Sequence, residues 1–419
     1  MIAAPAFRPK LRSLEQVLVP EHAGRLSLTL RDTEGIAPRA VMIPAELATV
    51  IPRFNGARTV EQIAADASLA LGRPITASLV ADLARELDEA FLLETPRFHA
   101  RKREVMDDFR RAVLRPAIHA GGAYHADAGD LARYIDEECL AQAPSVADRG
   151  RLVGLCAPHM DLWRAAVGYG HAYRALAEAL PAEVDTVVLL GTCHAGMRLP
   201  FAVCDKAFDT PFGPLAADHA LIEALARKSR FDIRGDEFRH KKEHSLELQA
   251  IFLRHLFRQR FDTPGHDAPP VTIVPILCGL GEAQYHGRDP SDDVEIESFL
   301  DALRALLDAR AGRTLLVAGA DLAHVGPRFG DARPLDPRER RALEASDRET
   351  ISLAISGDAP GLFAQVSADR HSRRVCGLGP MYTLLRLLPE ARGEALHYAQ
   401  CVDPEEGSIV SHASLGYSV

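Results

Sequence analysis

VDTVVLLGTCHAG, residues 184–196, decides the fold. An apolar run rich in Val and Leu stops at Gly191, and His194 follows three residues later beside Cys193. A near-continuous apolar run of this length reads as a strand covered on both faces. Taken singly, a histidine just past such a strand is most often a solvated turn residue. Its weight here comes from recurrence. RLVGLCAP (151–158), VTIVPILCG (271–279) and TLLVAGAD (314–321) are runs of the same kind, and each precedes a loop. Helical stretches separate them, at 165–180, 217–228, 244–258, 294–310, 339–357 and 378–389. Strands alternating with helices predict an α/β fold with a central mixed or parallel sheet flanked by helices.

Three of the predicted strands end in histidine or acid. RLVGLCAP leads into His159 and then Asp161; TVVLLGTC leads into His194; TLLVAGA leads into Asp321 and, three residues on, His324. Ligands of open α/β sheets collect beyond the carboxyl ends of strands, so the set points to a site where any one member would not. Two imidazoles hold a metal poorly without a third donor. A carboxylate would complete an Fe(II) facial triad, and a thiolate would suit iron, copper or zinc. Asp321, Glu243 in KKEHSLELQ and the cysteines are the available third donors. Cys376 stands out among them, in HSRRVCGLGP. The neighbouring Arg373 and Arg374 and a following helix start favour thiolate there.

The remainder of the chain bounds the function class. With 419 residues, two or three domains are expected. Hydrophobic and charged contents of 47% and 26% are those of an ordinary globular protein, and the net charge of −9 argues against a nucleic-acid binder. Seven scattered cysteines without a C-x-x-C pair remove zinc ribbons and predict free thiols in a reducing cytoplasm. No apolar run reaches the length of a membrane span, and the N-terminus lacks a signal-peptide core. Pro/Asp-enriched stretches near 262–270 and 287–293 read as surface loops.

The first hundred residues differ. LSLTLRD and PRAVMIP predict short strands, Thr59 with Gln62 predicts a capping box, and Leu79, Leu83, Leu87 and Phe91 predict the apolar stripe of a second helix. The charged stretch 97–113 predicts a helical linker.

The blocks RPAIHAGGAYHADAGDLARYIDEE (115–138), APHMDLWRAAVGYGHAYRAL (157–176), LLGTCHAG, EHSLELQ (243–249), DLAHVGPRF (321–329), VCGLGP and HYAQCVDPEEGSIVSHASLGY (397–417) together resemble the Memo family in order and spacing. Prokaryotic members of that family are called AmmeMemoRadiSam system protein B. The resemblance implies a fold similar to class III extradiol dioxygenases, which use non-haem Fe(II). It implies one divalent metal, with iron foremost and copper or zinc as alternatives, on His159, His194 and Cys376. Asp321 and His324 would lie close by, Asp321 orienting a ligand and His324 serving as acid or base. Glu243 and His244 would border the pocket. Where many members have Ala-Gly-Tyr after the first histidine, this chain has Met160-Asp161-Leu162-Trp163, which places Asp161 and Trp163 beside the expected site.

Residues 8–96 are similar to PqqD-like domains, small winged-helix modules that take a peptide at a sheet edge. The expected organisation is thus a small α+β winged-helix-like domain over 1–96, a linker over 97–114 and a Memo-like domain over 115–419. The expected activity is a metal-dependent oxidoreductase with a peptide or protein partner. A binding protein without turnover and a zinc hydrolase are the alternatives.

Overall fold

The computed structural model describes residues 7–20, 26–145, 150–179, 183–258 and 270–419. The loop expected at 262–270 lies outside these, apart from Pro270. The chain divides into two compact units, Met1–Ala112 and Val113–Val419.

In the first unit, β1 (Glu15–Pro20), β2 (Leu26–Arg31) and β3 (Val41–Pro44) form an antiparallel sheet in that order. Three long helices follow, Val60–Leu71, Ala77–Glu89 and Pro96–Arg111, after a single turn at Ala45–Ala48. The capping box is present: the Thr59 side chain accepts from the Gln62 main chain, and the Gln62 side chain accepts from the Thr59 N–H. The apolar face of Ala77–Glu89 differs from the expected stripe. Val80, Leu83, Ala84 and Leu87 are buried, Leu79 faces solvent, and Phe91 lies beyond the helix in a left-handed conformation. Spacings of three and four together, rather than four alone, keep one helical face inward. The charged stretch expected as a linker is packed into this unit. It buries Phe98, Val105 and Phe109, and the Arg12 guanidinium lies 4.1 Å above the Phe98 ring. Arg12 also forms a buried ion pair with Asp32 at 2.9 Å.

The second unit opens with β4 (Leu114–Arg115), which pairs with β8 (Ala207–Phe208). The predicted runs become β5 (Leu152–Ala157), β6 (Thr186–Gly191), β9 (Thr272–Cys278) and β10 (Thr314–Gly319). These four are parallel and adjacent in the order β5-β10-β6-β9. Antiparallel strands complete the sheet: β7 (Phe201–Val203) beside β9, and β13 (Ile409–Ser418) beside β5. β12 (Arg392–Val402) runs along one side of β13, and β11 (Asp321–Val325) shares the other with β5, β11 meeting Ile409–His412 and β5 meeting Leu415–Ser418. The sheet is therefore mixed and flanked by helices, as the pattern predicts.

Alternation along β6 shows how the sheet is covered. Val188 and Leu190 enter one core with Phe299 and Leu384, while Val187 and Leu189 enter the other with Tyr173 and Phe252. Each such side chain contributes roughly 1.5–3 kcal/mol of burial free energy before chain entropy is counted. With both faces covered, the strand ends are the places left for polar chemistry. The carboxyl ends of the three adjacent strands β5, β10 and β6 deliver His159, Asp321 and His194.

Candidate metal centre

His159 follows β5 and is almost fully buried. Its ring Nδ1 lies 2.9 Å from the Gly319 carbonyl oxygen at the end of β10. A carbonyl only accepts, so Nδ1 carries the proton and Nε2 presents its lone pair to the site. The main-chain N–H of His159 donates to Asp321 Oδ1 at 3.0 Å. Asp321 Oδ2 lies 3.7 Å from His159 Nε2.

His194 is fixed by the same logic with a different acceptor. Glu243 accepts from its main-chain N–H at 2.9 Å and from Nδ1 at 3.0 Å, leaving Nε2 as the donor atom. Glu243 also accepts from the main-chain N–H groups of His244 and Ser245. Burial by itself would raise this carboxyl; the His194 and His244 rings and these hydrogen bonds hold it well below the usual range.

His244 belongs to the cluster itself rather than to its border. Its ring stacks on His194 at 4.6 Å and meets His159 edge-on at 5.5 Å. One ring nitrogen from each of His159, His194 and His244 lies within 4.8 Å of the others. Cys376 adds its Sγ at 3.2 Å from His159 Nε2. Burial would raise this thiol, but His159 and His324 beside it bring it down to about 5. Burial likewise works against the His159 cation, and the Cys376 and Asp321 charges outweigh it, raising the ring to about 9. These opposite shifts favour thiolate beside imidazolium over the neutral pair while the site holds no cation. A divalent cation competes with that proton for the same lone pairs.

This donor set fits a metal. Two imidazoles have their remote nitrogens tied to fixed acceptors, and a thiolate and a third imidazole face them. Metal–nitrogen bonds of about 2.0–2.1 Å would draw together the three histidine nitrogens, which lie within 4.8 Å of one another. Mixed nitrogen and sulfur donors suit iron, copper and zinc without selecting among them.

The chain conformation around the cluster is set by close approach. A Cβ on Gly319 would meet the Ser245 carbonyl oxygen at 2.4 Å, and one on Gly191 would meet Ser245 Oγ at 2.6 Å. Glycine at both strand ends lets the segment carrying Glu243 and His244 lie against them. Ser245 Oγ donates to the Thr192 carbonyl, Thr192 Oγ1 donates to the Cys376 carbonyl, and Gln249 Nε2 donates to the Pro158 carbonyl. Below them Arg115 and Glu247 form a fully buried ion pair. Arg115 also donates to the carbonyls of His240 and Glu243, and Tyr124 donates to Glu247.

Asp161 and Trp163 lie apart from the cluster. The Asp161 side chain caps the helix Leu162–Glu178 and pairs with Arg164. The Trp163 indole donates to the Gly122 carbonyl and packs edge-on against His125 and Tyr134. His324 sits on β11, half-buried, its ring against Phe329, and its charge reaches Cys376 and Asp321. Cys193 is no second thiolate: burial pushes it up to about 12. The Arg115–Glu247–Tyr124 framework and His412, opposite Asp321 across β11 and β13, carry no motif of their own that sequence could isolate.

These features define a mixed α/β protein with a candidate divalent-metal centre of histidines and a cysteine at the carboxyl ends of adjacent parallel strands. The chain belongs to the Memo family, whose model, described as Memo-like protein, matches residues 115–416. It is 28% identical over 389 residues to a MEMO1 family protein of Aquifex aeolicus, covering 92% of this chain and 94% of that one. A MEMO1 family protein of Thermus thermophilus is 29% identical over 358 residues, 85% of this chain and 98% of its own. A Methanosarcina barkeri relative is 27% identical over 309 residues, taking in 99% of itself but 72% of this chain. Among the described residues no helix is long and apolar enough to cross a membrane.

Proposed function

We propose that this protein is an Fe(II)-dependent oxidoreductase of dioxygenase ancestry, its metal held by His159, His194 and Cys376 with His244 as a further donor. The observation that carries the reading is the Cys376 sulfur 3.2 Å from His159 Nε2, where the neighbouring imidazoles favour its thiolate. When bound, iron would supply the one-electron redox and oxygen chemistry of the site. The protein's own part is to orient. The Gly319 carbonyl and Glu243 direct the two imidazoles, and Asp321 holds the His159 main chain. His324 is the group placed to hold or move a proton beside Cys376. Thiolate in place of carboxylate alters the redox behaviour expected of the metal and weighs against ordinary catechol cleavage.

A peptide or protein substrate is the accompanying proposal. A groove of about 470 Å³ in the first unit runs between the edge strand β3 and the helix Ala77–Glu89, with Met42 and Leu79 exposed in it. Such an edge supports the PqqD-like reading, in which an extended peptide adds a strand.

Elemental analysis of protein purified without oxygen tests the metal assignment, run beside His159→Ala, His194→Ala and Cys376→Ala. Near-stoichiometric iron that disappears in each variant is expected, with oxygen uptake confined to the iron form. Zinc with hydrolysis of an ester or peptide would replace the reading by a zinc hydrolase; copper without turnover, or full metal retention in a variant, would also overturn it.

A further inference from the structure

The loop that carries Cys376 is held against the preferences of its own backbone. Among the described residues, five that are not glycine have a left-handed φ, and three of these come just before that cysteine: Arg370 at 54°, His371 at 59° and Arg374 at 50°. Such conformations are unfavourable for a residue with a Cβ and persist only where the surroundings over-determine them.

Arg373 supplies the restraint. Its side chain is largely buried against two helices, Pro337–Ile355 and Ala359–Ala368, and the residue that closes the second of them. Nε donates to Asp369 at 2.7 Å and Nη2 to Gln365 at 3.0 Å. Nη1 donates to Thr350 at 3.2 Å and to Asp347 at 3.1 Å. A guanidinium tied at so many points fixes the main chain that bears it. The Arg373 carbonyl then accepts the His324 N–H at 2.7 Å. Past Cys376, the Gly377 N–H donates to the Asp321 carbonyl at 3.0 Å. The loop is therefore bonded to β11 on both sides of the cysteine.

Asp347 reaches β11 by a second route. This residue is fully buried, and its other carboxyl oxygen accepts from Ser411 Oγ at 2.6 Å and from the Tyr398 hydroxyl at 3.0 Å. Ser411 Oγ in turn accepts the Ala323 N–H at 2.9 Å. The register of β11 against β13 shifts between Asp321 and His324, and the Ser411 hydroxyl serves the Ala323 N–H at that irregularity.

We infer that Asp347 is a positioning residue for the metal centre: through Arg373 it sets the Cys376 loop, and through Ser411 it sets the strand that begins with Asp321. The inference rests on the metal reading for what Cys376 binds, but not for how its loop is held. A buried ion pair of general importance would stabilise the whole unit. This one joins the two segments that meet at the centre, so its loss acts there first.

Hydrogen exchange of the metal-free full-length protein, read by mass spectrometry, tests it together with cobalt(II) titration of the same samples. Asp347→Asn keeps the volume but gives up the charge that Arg373 meets. Exchange is expected to quicken by about tenfold or more over 321–325 and 371–377, with β6 and β9 unchanged. Cobalt affinity is expected to fall by about tenfold, and the sulfur-to-cobalt absorption that Cys376 gives the wild type to fade with it. Ser411→Ala releases the β11 arm alone, quickening 321–325 and not 371–377, and it carries the test if Asp347→Asn does not fold. Ile222→Ala opens a cavity elsewhere in the same core. It lowers the melting temperature while leaving both segments and the cobalt spectrum as they are. Unchanged exchange over 321–325 in both variants, or a rise spread evenly over the sheet, would overturn the inference. A wild type whose cobalt spectrum matches that of Cys376→Ser removes the cysteine from the metal, and the exchange result still decides the role of Asp347.

Discussion

Glu243 holds His194 at two points, accepting its main-chain N–H at 2.9 Å and its ring Nδ1–H at 3.0 Å. The carboxylate fixes both where the residue sits and which ring nitrogen faces the metal. Glu243→Gln preserves shape but loses the charge and one acceptor. Metal affinity is expected to fall by about 10- to 100-fold, as for other carboxylates that support a ligating histidine. Competition with a chelator measures it, and an unchanged affinity would remove Glu243 from the site.

The buried Arg115–Glu247 pair makes a second prediction. Arg115→Met strands the Glu247 carboxylate and breaks the hydrogen bonds to the carbonyls of His240 and Glu243. A loss of about 3–5 kcal/mol is expected in denaturant unfolding of the second unit. Arg115→Met with Glu247→Leu recovers much of that stability but not the metal affinity, because the Glu243 segment stays loose.

Two glycines offer a matched comparison. Gly319→Ala drives a methyl into the Ser245 carbonyl oxygen and Gln249, both backed by packed chain. A cost of about 1–3 kcal/mol is expected, with reduced metal content, since His244 adjoins the displaced residue. Gly196→Ala meets nothing within 4 Å and bears only the strain of φ +71°. Melting temperature should fall less, and metal content should not change.

The first unit carries a pH signature. Burial raises the Asp32 carboxyl, but the Ala37 N–H and the Arg12 guanidinium bring it below its ordinary value. A depressed folded-state pKa gives stability that is complete above the unfolded value of about 3.9 and is lost as pH falls through the folded value. Asp32→Asn is therefore expected to destabilise this unit by about 2 kcal/mol at pH 7. The gap to the wild type should close below pH ~3 in thermal melts.

The β5, β6, β9 and β10 strands were legible because strands buried on both faces have almost no polar residues to interrupt them. The hairpin β12–β13 was not, since β12 is half-exposed and mixes His397, Gln400 and Cys401 with its apolar residues. His159, His194 and Asp321 stood out by their places after apolar runs, and Cys376 by its place in a loop before an apolar helix. Asp161 and Trp163 could not be placed from adjacency alone, because the helix start at Leu162 turns them away. His244 stood at a helix start in sequence, and only the approach of Ser245 to Gly191 and Gly319 carries its ring into the cluster.

The pairing of β11 with β13 has a consequence for biogenesis. β11, which carries Asp321, has no other strand neighbour in the sheet. During synthesis β5, β6, β9 and β10 can assemble in order of emergence, while β11 waits for a partner that leaves the ribosome after all of them. Until then β11 lacks its strand partner, while Ala320 before it already donates to the Ala157 carbonyl at the end of β5. A nascent chain halted before residue 409 would present a nearly finished sheet without the strand that pairs with β11.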